Sequence, residues 1–378
     1  MIVLTKDMSA LKDSTGSSTG EPSLPPDDQP ATYAAAGVDI AAWDKAFSRI
    51  KGAIRTTFGP QVVGDIGGFG GLYAAPRGDR PILVSSVDSV GTKVRVAIGL
   101  GRHDTVGHDI VNHCVNDILC GGARPLFFLD YIGTSRLDPP TIEAIVKGLA
   151  EACRANRCAL IGGETAELPG IYAEGDYDLV GCIVGMVEHD HIVDGAGIDP
   201  GDVLLGLPSS GLHTNGYSLA RRLLPPERWG ELELSLGKTI GDALLEPHPS
   251  YLDHIDRLDQ AIAIKGMAHI TGGGLRDNIV RVLPPNTVAN VHLGSWRVPP
   301  IFPLIQQAGD VSLAEMCHVF NMGIGYVVVC ANDDVAAAQA QAPAAVIVGE
   351  VHAKEGPGLV RILDESGAIV CTSDGNAG

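Results

Sequence analysis

Between positions 109 and 119 the chain reads DIVNHCVNDIL, and its polar residues recur with the spacing of one helix face. On a helix, Asp109, Asn112, His113, Asn116 and Asp117 share that face, and Ile110, Val111, Cys114, Val115, Ile118 and Leu119 fill the rest. A solvated face usually carries Lys, Glu and Arg, and this stripe has none. Short carboxylate, amide and imidazole groups suit a metal ion or ligand held close to the backbone. The competing reading is an ordinary amphipathic helix with its wet side out; the residue types favour a lined site.

Three more stretches carry chemistry. In LVSSVDSVGTK, Asp88 closes an apolar run and is followed by hydroxyls, a glycine turn and Lys93, a set suited to Mg²⁺ and phosphate or to a capped strand end. In GGETAE, Gly162 and Gly163 allow a ligand close to the backbone, with Glu164 as a further metal ligand or a helix-start acid. In SSGLHTNG, small donors before a helix start form an anion nest, and Ser210, Thr214, Asn215 and Gly216 are candidates to hold a phosphorylated substrate. His213 lies among them, able to donate to that substrate or to move a proton. HITGGG, at 269–274, offers a second nest or a packing turn.

Several familiar sites are disfavoured. Gly91-Thr92-Lys93 is not a Walker A loop, and 64–71 lacks the strand–helix setting of a dinucleotide fingerprint. With no H-E-x-x-H and no C-x-x-C, motif spacing argues against a zinc site. Lys and Arg number 27 against 45 Asp and Glu, a net charge of −18, which repels nucleic acid but not a phosphorylated small molecule bound with Mg²⁺. Eight cysteines sit mostly in apolar runs, as expected of free thiols in a reducing cytoplasm. No apolar run reaches the ~18 residues of a membrane span, and the first residues lack the apolar core of a secretory signal.

The elements that must position these groups alternate. Residues 1–32, rich in Ser, Gly, Pro and Asp, read as a disordered tail. Trp43, Phe47, Ile50 and Ile54 then recur at helical spacing up to Gly59-Pro60. Strands are expected at 81–87, 126–132, 159–161 and 178–188, with helices at 105–120 and from Pro139 onward. The Gly- and Asp-rich stretch 194–201 reads as a domain boundary. Strands near 203–207, 323–330 and 345–351 belong to the second half. The expected fold class is α/β in two domains, 33–195 and 196–378.

Taken together, YAAAGVDI (33–40), GGFGGL (67–72), DSVGTK (88–93), NDILCGGARPLFFLDY (116–131), GGETAELPG (162–170), SSGLHTNGYSL (209–219), HITGGG (269–274) and FNMGIG (320–325) resemble the phosphoribosylformylglycinamidine cyclo-ligase family. That family belongs to an ATP-binding superfamily shared with selenophosphate synthetase and thiamine-monophosphate kinase. The resemblance runs in order over about residues 33–352. It implies an N-terminal half-barrel that closes with a second copy into a homodimer, ATP in the clefts, and cytoplasmic purine synthesis. Carried residue by residue, it implies ATP binding at Lys51 and the loop of Gly67, Gly68, Phe69 and Gly70; the residues' own reading adds Asp109, Asn112 and Asn116 of the stripe, and Gly162 and Gly163, as ATP-binding candidates. The resemblance implies Mg²⁺ and phosphate chemistry at Asp88 and Asp117 and matches His213 to a family histidine; the residues' own reading adds Glu164 as a further Mg²⁺ ligand, Lys93 as a fixed positive charge, and His213 as the group that binds substrate or moves a proton. Ser86 and Ser89 stand where the family often has glycine. Selenophosphate synthetase would be expected to carry a reactive cysteine in the glycine loop, which is absent here. A nucleotide-binding scaffold without activity would be expected to have lost carboxylates, yet Asp88, Asp117 and Glu164 remain.

Overall fold

A computed structural model describes residues 49–63, 65 and 71–373 of the chain. The expected tail, most of the first helix and Gly67–Gly70 lie outside the described residues; of that helix, 49–55 is described and helical.

The first half is a four-stranded sheet made of β1 (Pro81–Ser89), β2 (Arg124–Thr134), β3 (Ala159–Glu167) and β4 (Tyr177–Glu188). Its order is β1-β4-β2-β3, with only β2 and β3 parallel. Strict alternation in β4 explains the layering. Tyr177, Leu179, Ile183 and Val187 are buried on one face, and Val180, Cys182, Val184 and Met186 are half-buried on the other. The buried face is covered by α2 (Asp104–Leu119) and α3 (Pro139–Ala155); α1 (Val94–Leu100) precedes them. Asp138 caps α3, its carboxylate accepting from the Thr141 amide at 3.3 Å. Gly181 lets α2 come close: a Cβ there would lie 2.2 Å from Phe128 and 2.8 Å from Ile110.

The second half is a seven-stranded sheet. Its strands are β5 (Val203–Pro208), β6 (Gly266–His269), β7 (Thr287–His292), β8 (Ile324–Cys330), β9 (Val346–Ala353), β10 (Leu359–Leu363) and β11 (Ile369–Thr372). The order is β6-β8-β5-β9-β7-β10-β11. Every residue of β8 is buried, as its unbroken apolar run requires.

One expected loop is a strand. The GGETAE stretch continues β3, Gly163 pairing with Asp130 and Glu164 with Tyr131 of β2. The glycine is needed there for the sheet: a Cβ on Gly163 would lie 2.2 Å from the Asp130 carboxylate. Gly162 and Gly163 therefore serve strand pairing in this chain, not a loop wrapped around a ligand.

Candidate active site

The α2 stripe forms as expected, but it divides in two. Asp109, Asn112 and Asn116 are buried against the segment that follows the short helix Ile240–Leu244. Asn112 Nδ2 donates to His248 O at 2.7 Å, while Asn112 Oδ1 accepts from Asn156 Nδ2 at 2.7 Å. Asn116 donates to Pro249 O at 2.9 Å and accepts from the Tyr251 amide at 2.9 Å. Asp109 Oδ1 accepts from the His248 amide and from Lys93 Nζ, both at 2.8 Å. Residues 246–250 have no regular structure of their own, so their buried backbone groups need these partners. The expectation that Asp109, Asn112 and Asn116 face a nucleotide is corrected: they dock the second half of the chain onto α2.

Lys93 is corrected in the same way. Its ammonium is fully buried and donates to Asp109 at 2.8 Å, to His213 O at 3.1 Å and to Glu246 O at 2.7 Å. Burial lowers the lysine's proton affinity and raises that of Asp109, and the mutual attraction of the pair opposes both shifts. This charge holds protein together and is not presented to a ligand.

The remaining two polar residues of α2 do converge on open space. Asp88, at the end of β1, and Asp117, on the last turn of α2, flank His113. Asp88 Oδ2 lies 2.7 Å from His113 Nε2, and Asp117 Oδ2 lies 3.8 Å from it. Asp117 Oδ2 also accepts from the Ser86 hydroxyl at 3.0 Å, and its Oδ1 from His269 Nδ1 at 2.8 Å. All these residues line a cavity of about 460 Å³ between the two halves. Asn278, Thr271 and Arg281 complete its far wall.

The electrostatics follow from this geometry. Burial pushes the Asp88 carboxyl up, but the His113 hydrogen bond and charge, with the Ser89 amide, more than offset it and hold the group below its usual range. Asp117 is likewise held low against burial by His269, His113 and Ser86. Burial lowers His113, and the two carboxylates overcome it, leaving the imidazole more basic than usual. The result is two ionised carboxylates at a half-open cavity mouth.

Glu164 does not join them. Three inter-strand steps separate β3 from β1, about 14 Å at ~4.8 Å per step. The expected third carboxylate is corrected to a position elsewhere on the sheet. His213 also departs from expectation. Its ring is 1% exposed, stacked on His248 at 4.0 Å between centroids, and both ring nitrogens lack a hydrogen-bond partner. It is not among the residues lining the cavity, because its backbone adopts φ 62° and the ring packs against Gly325, where a Cβ would lie 2.3 Å from it. In this arrangement it is buried away from the cavity.

The nest around it is spent internally. Ser210 Oγ donates to Pro247 O at 2.7 Å, and Thr214 Oγ1 lies 2.8 Å from His113 Nδ1. Asn215 Nδ2 is buried without a partner, and Gly216, at φ 76°, precedes helix Tyr217–Leu223 in contact distance of Phe320. Ser210, Thr214 and Gly216 are corrected from substrate ligands to parts of a loop whose polar atoms and positive φ serve the chain itself, while the Asn215 side-chain amide nitrogen has no partner within it. Lys51 pairs with Asp65 at 3.2 Å and does not line the cavity, and Gly67, Gly68, Phe69 and Gly70 lie outside the described residues.

Two functional groups escaped the sequence reading. Arg281 lines the cavity, and His248, between Pro247 and Pro249, is fully buried behind that lining, 3.1 Å from His269. Neither lies in a glycine motif or on a periodic face, so local sequence gave no sign of them.

The comparisons with known proteins agree in kind. Family models described as AIR synthase related protein match residues 72–187 with the N-terminal domain and 199–362 with the C-terminal domain. A phosphoribosylformylglycinamidine cyclo-ligase of Desulfitobacterium hafniense is 47% identical over 326 residues, 85% of this chain and 96% of that protein. One of Myxococcus xanthus is 49% identical over 336 residues, 86% and 97% of the two chains. Among solved structures, the hydrogenase maturation protein HypE in complex with ATP aligns with TM-score 0.64 at 16% identity, covering 89% of this chain and 96% of that one. Thiamine-monophosphate kinase from Stenotrophomonas maltophilia K279a aligns with TM-score 0.60 at 19% identity, covering 88% and 97%. These two share the fold. With a family model on each half and relatives near half-identical over almost their whole length, the chain belongs to the phosphoribosylformylglycinamidine cyclo-ligase family.

Proposed function

We propose that the chain closes formylglycinamidine ribonucleotide to 5-aminoimidazole ribonucleotide at the expense of ATP, releasing ADP and phosphate. The observation that carries this is the pair of ionised carboxylates, Asp88 and Asp117, at a cavity walled by both halves of the chain. The chemistry needs a leaving group where the substrate has a formamide oxygen. Transfer of the γ-phosphoryl group to that oxygen supplies it. The amidine-side nitrogen then attacks the activated carbon, the ring closes and phosphate departs.

Such a reaction asks mainly for in-line positioning and charge neutralisation. The donor set fits Mg²⁺: two carboxylates and the Ser86 hydroxyl are hard oxygen ligands at a site open to solvent. Asp88 and Asp117 would hold the ion, which when bound neutralises charge on the transferred phosphoryl group. Ser86 and His269 fix the two oxygens of Asp117, and Thr214 orients His113 behind Asp88. Arg281 offers the substrate's phosphate a guanidinium from the opposite wall. Lys51 and the Gly67–Gly70 loop are the remaining candidates for ATP.

The assembly we propose is a homodimer, with domains at 33–195 and 196–378. On the outer face of the first sheet Leu83 is 68% and Val87 64% exposed, beside half-buried Val184 and Met186. A second copy of that face would bury them and close a barrel. Among the described residues no helix is long and apolar enough to cross a membrane, and the proposed location is the cytoplasm.

The deciding experiment follows ADP release and aminoimidazole formation with Mg²⁺-ATP, with and without formylglycinamidine ribonucleotide. Coupled appearance of both products is expected. ADP release indifferent to that substrate, or no aminoimidazole, overturns the reading.

A further inference from the structure

The HITGGG stretch ends in a turn that one buried side chain holds from within. Asn278, 2% exposed, lies on the helix Gly274–Ile279 that follows the turn. Its Nδ2 donates to Gly274 O at 2.8 Å, to Gly272 O at 3.2 Å and to Thr271 O at 3.3 Å, and its Oδ1 accepts from Thr271 Oγ1 at 3.2 Å. Both ends of the side-chain amide are thus spent on residues 271–274. The turn has need of them. Gly273 and Gly274 are both left-handed, at φ 92° and 64°, and a Cβ on Gly274 would lie 2.0 Å from Cys317 O. Three carbonyls converge on one nitrogen, and without a donor at their centre they would repel one another unsatisfied.

The turn is part of the cavity. Thr271 and Asn278 line it, and Arg281, just beyond Asn278 in the chain, is the one lysine or arginine among the described lining residues. The opposite wall, from the first half, carries Asp88 and Asp117. A metal-bound triphosphate is drawn to carboxylates, and a phosphate monoester without a metal is drawn to a guanidinium. We propose that Asn278 is a positioning residue for the ribonucleotide substrate, a role that rests on the cyclo-ligase reading above. By clamping the 271–274 turn it sets the wall of Thr271 and Arg281 against which that substrate is oriented, and it leaves the ATP side alone.

An anchor separates the turn from the carboxylates. His269, which donates to Asp117 Oδ1 at 2.8 Å, ends β6. Between His269 and the turn, Ile270 is buried, and its amide donates to Gly325 O at 2.9 Å. The turn can therefore relax without moving His269 or Asp117. The orientation of the Asn278 amide is fixed as well. With Nδ2 and Oδ1 exchanged, an oxygen would face three carbonyl oxygens.

Steady-state kinetics of the full-length protein test this, with formylglycinamidine ribonucleotide varied at saturating Mg²⁺-ATP and then the reverse. Asn278→Ala should raise KM for the ribonucleotide by about tenfold or more, with KM for ATP and kcat at saturation changed by less than about threefold. Thr271→Val, which removes one hydrogen bond of the clamp, should raise the same KM by about threefold, and Thr271→Ser should restore it. Adding Thr271→Val to Asn278→Ala should cost nothing further, because the hydroxyl acts through the amide. A fall in kcat with both KM values unchanged would make Asn278 structural and overturn the proposal. An equal rise in both KM values, additive effects of the two substitutions, or wild-type kinetics in Asn278→Ala would overturn it too. If Asn278→Ala does not fold, Thr271→Val and Thr271→Ser decide. Absence of aminoimidazole from the wild-type reaction would instead overturn the cyclo-ligase reading, and this role with it.

Discussion

His113 Nε2 lies 2.7 Å from Asp88 Oδ2, joining the middle of α2 to the end of β1 at the point where the cavity opens. This contact couples the two elements that carry the carboxylates, so the separation of Asp88 and Asp117 is set by a buried ring and not by two free side chains.

Asp117→Asn is the most direct probe of the carboxylates. The amide keeps the size of the side chain and can still accept from Ser86, so the fold should survive. The charge that holds a cation and orients the phosphoryl group is lost. Turnover should fall by about 10²-fold or more, with circular dichroism and Tm close to wild type. Wild-type kcat in the variant removes Asp117 from the mechanism.

How much of this was legible beforehand depends on the range over which each signal acts. The α2 stripe follows from helical periodicity, and Asp88 and Asp117 fall in turn and helix contexts that local sequence reveals. What a polar face looks at is not local. Asp109, Asn112 and Asn116 sit on the expected face, yet they meet the backbone of residues 246–251, more than 130 positions away. Glu164 went astray for another reason: paired glycines read as a loop, whereas Gly163 is bare to admit the Asp130 carboxylate of the neighbouring strand. His248 and Arg281 have no period or motif around them and emerge only when the two halves are brought together.

Stability should depend on pH through the His113–Asp88 contact, with signs fixed by the two shifts. His113 is more basic in the folded chain than when unfolded. Its contribution is complete below the unfolded value near 6.5 and is lost as pH rises through the higher folded value. Asp88 is more acidic when folded. Its contribution is present above the unfolded value near 3.9 and is lost as pH falls through the lower folded value. Thermal melts of wild type should therefore show a loss as pH rises above about 6.5 that His113→Asn lacks. Parallel pH profiles for the two proteins would remove the contact from the stability of the fold.

Lys93→Met tests whether that lysine is structural. The substitution leaves Asp109 buried beside an apolar side chain, with Oδ2 already lacking a partner. Breaking a buried pair from one side costs roughly 3–5 kcal/mol, so a marked drop in Tm is expected. The double change Lys93→Met with Asp109→Leu removes both charges and should recover part of the loss. If Lys93→Met melts like wild type but loses turnover, the ammonium acts on the ligand and the structural assignment fails.

The outer face of the first sheet gives the last prediction. Leu83 and Val87 project from an edge strand with 68% and 64% of their surface in contact with solvent in the single chain. Residues of this kind at the rim of an open sheet stabilise a chain only when something covers them. Leu83→Lys places a charge where the proposed second copy would pack, while a lone chain would hold the lysine in water at little cost. Light scattering at micromolar concentration should give a dimer for wild type and a monomer for Leu83→Lys, with the monomer's circular dichroism retained. A wild-type monomer, or a dimer indifferent to the lysine, would place the apolar face outside any interface between copies and leave the half-barrel open.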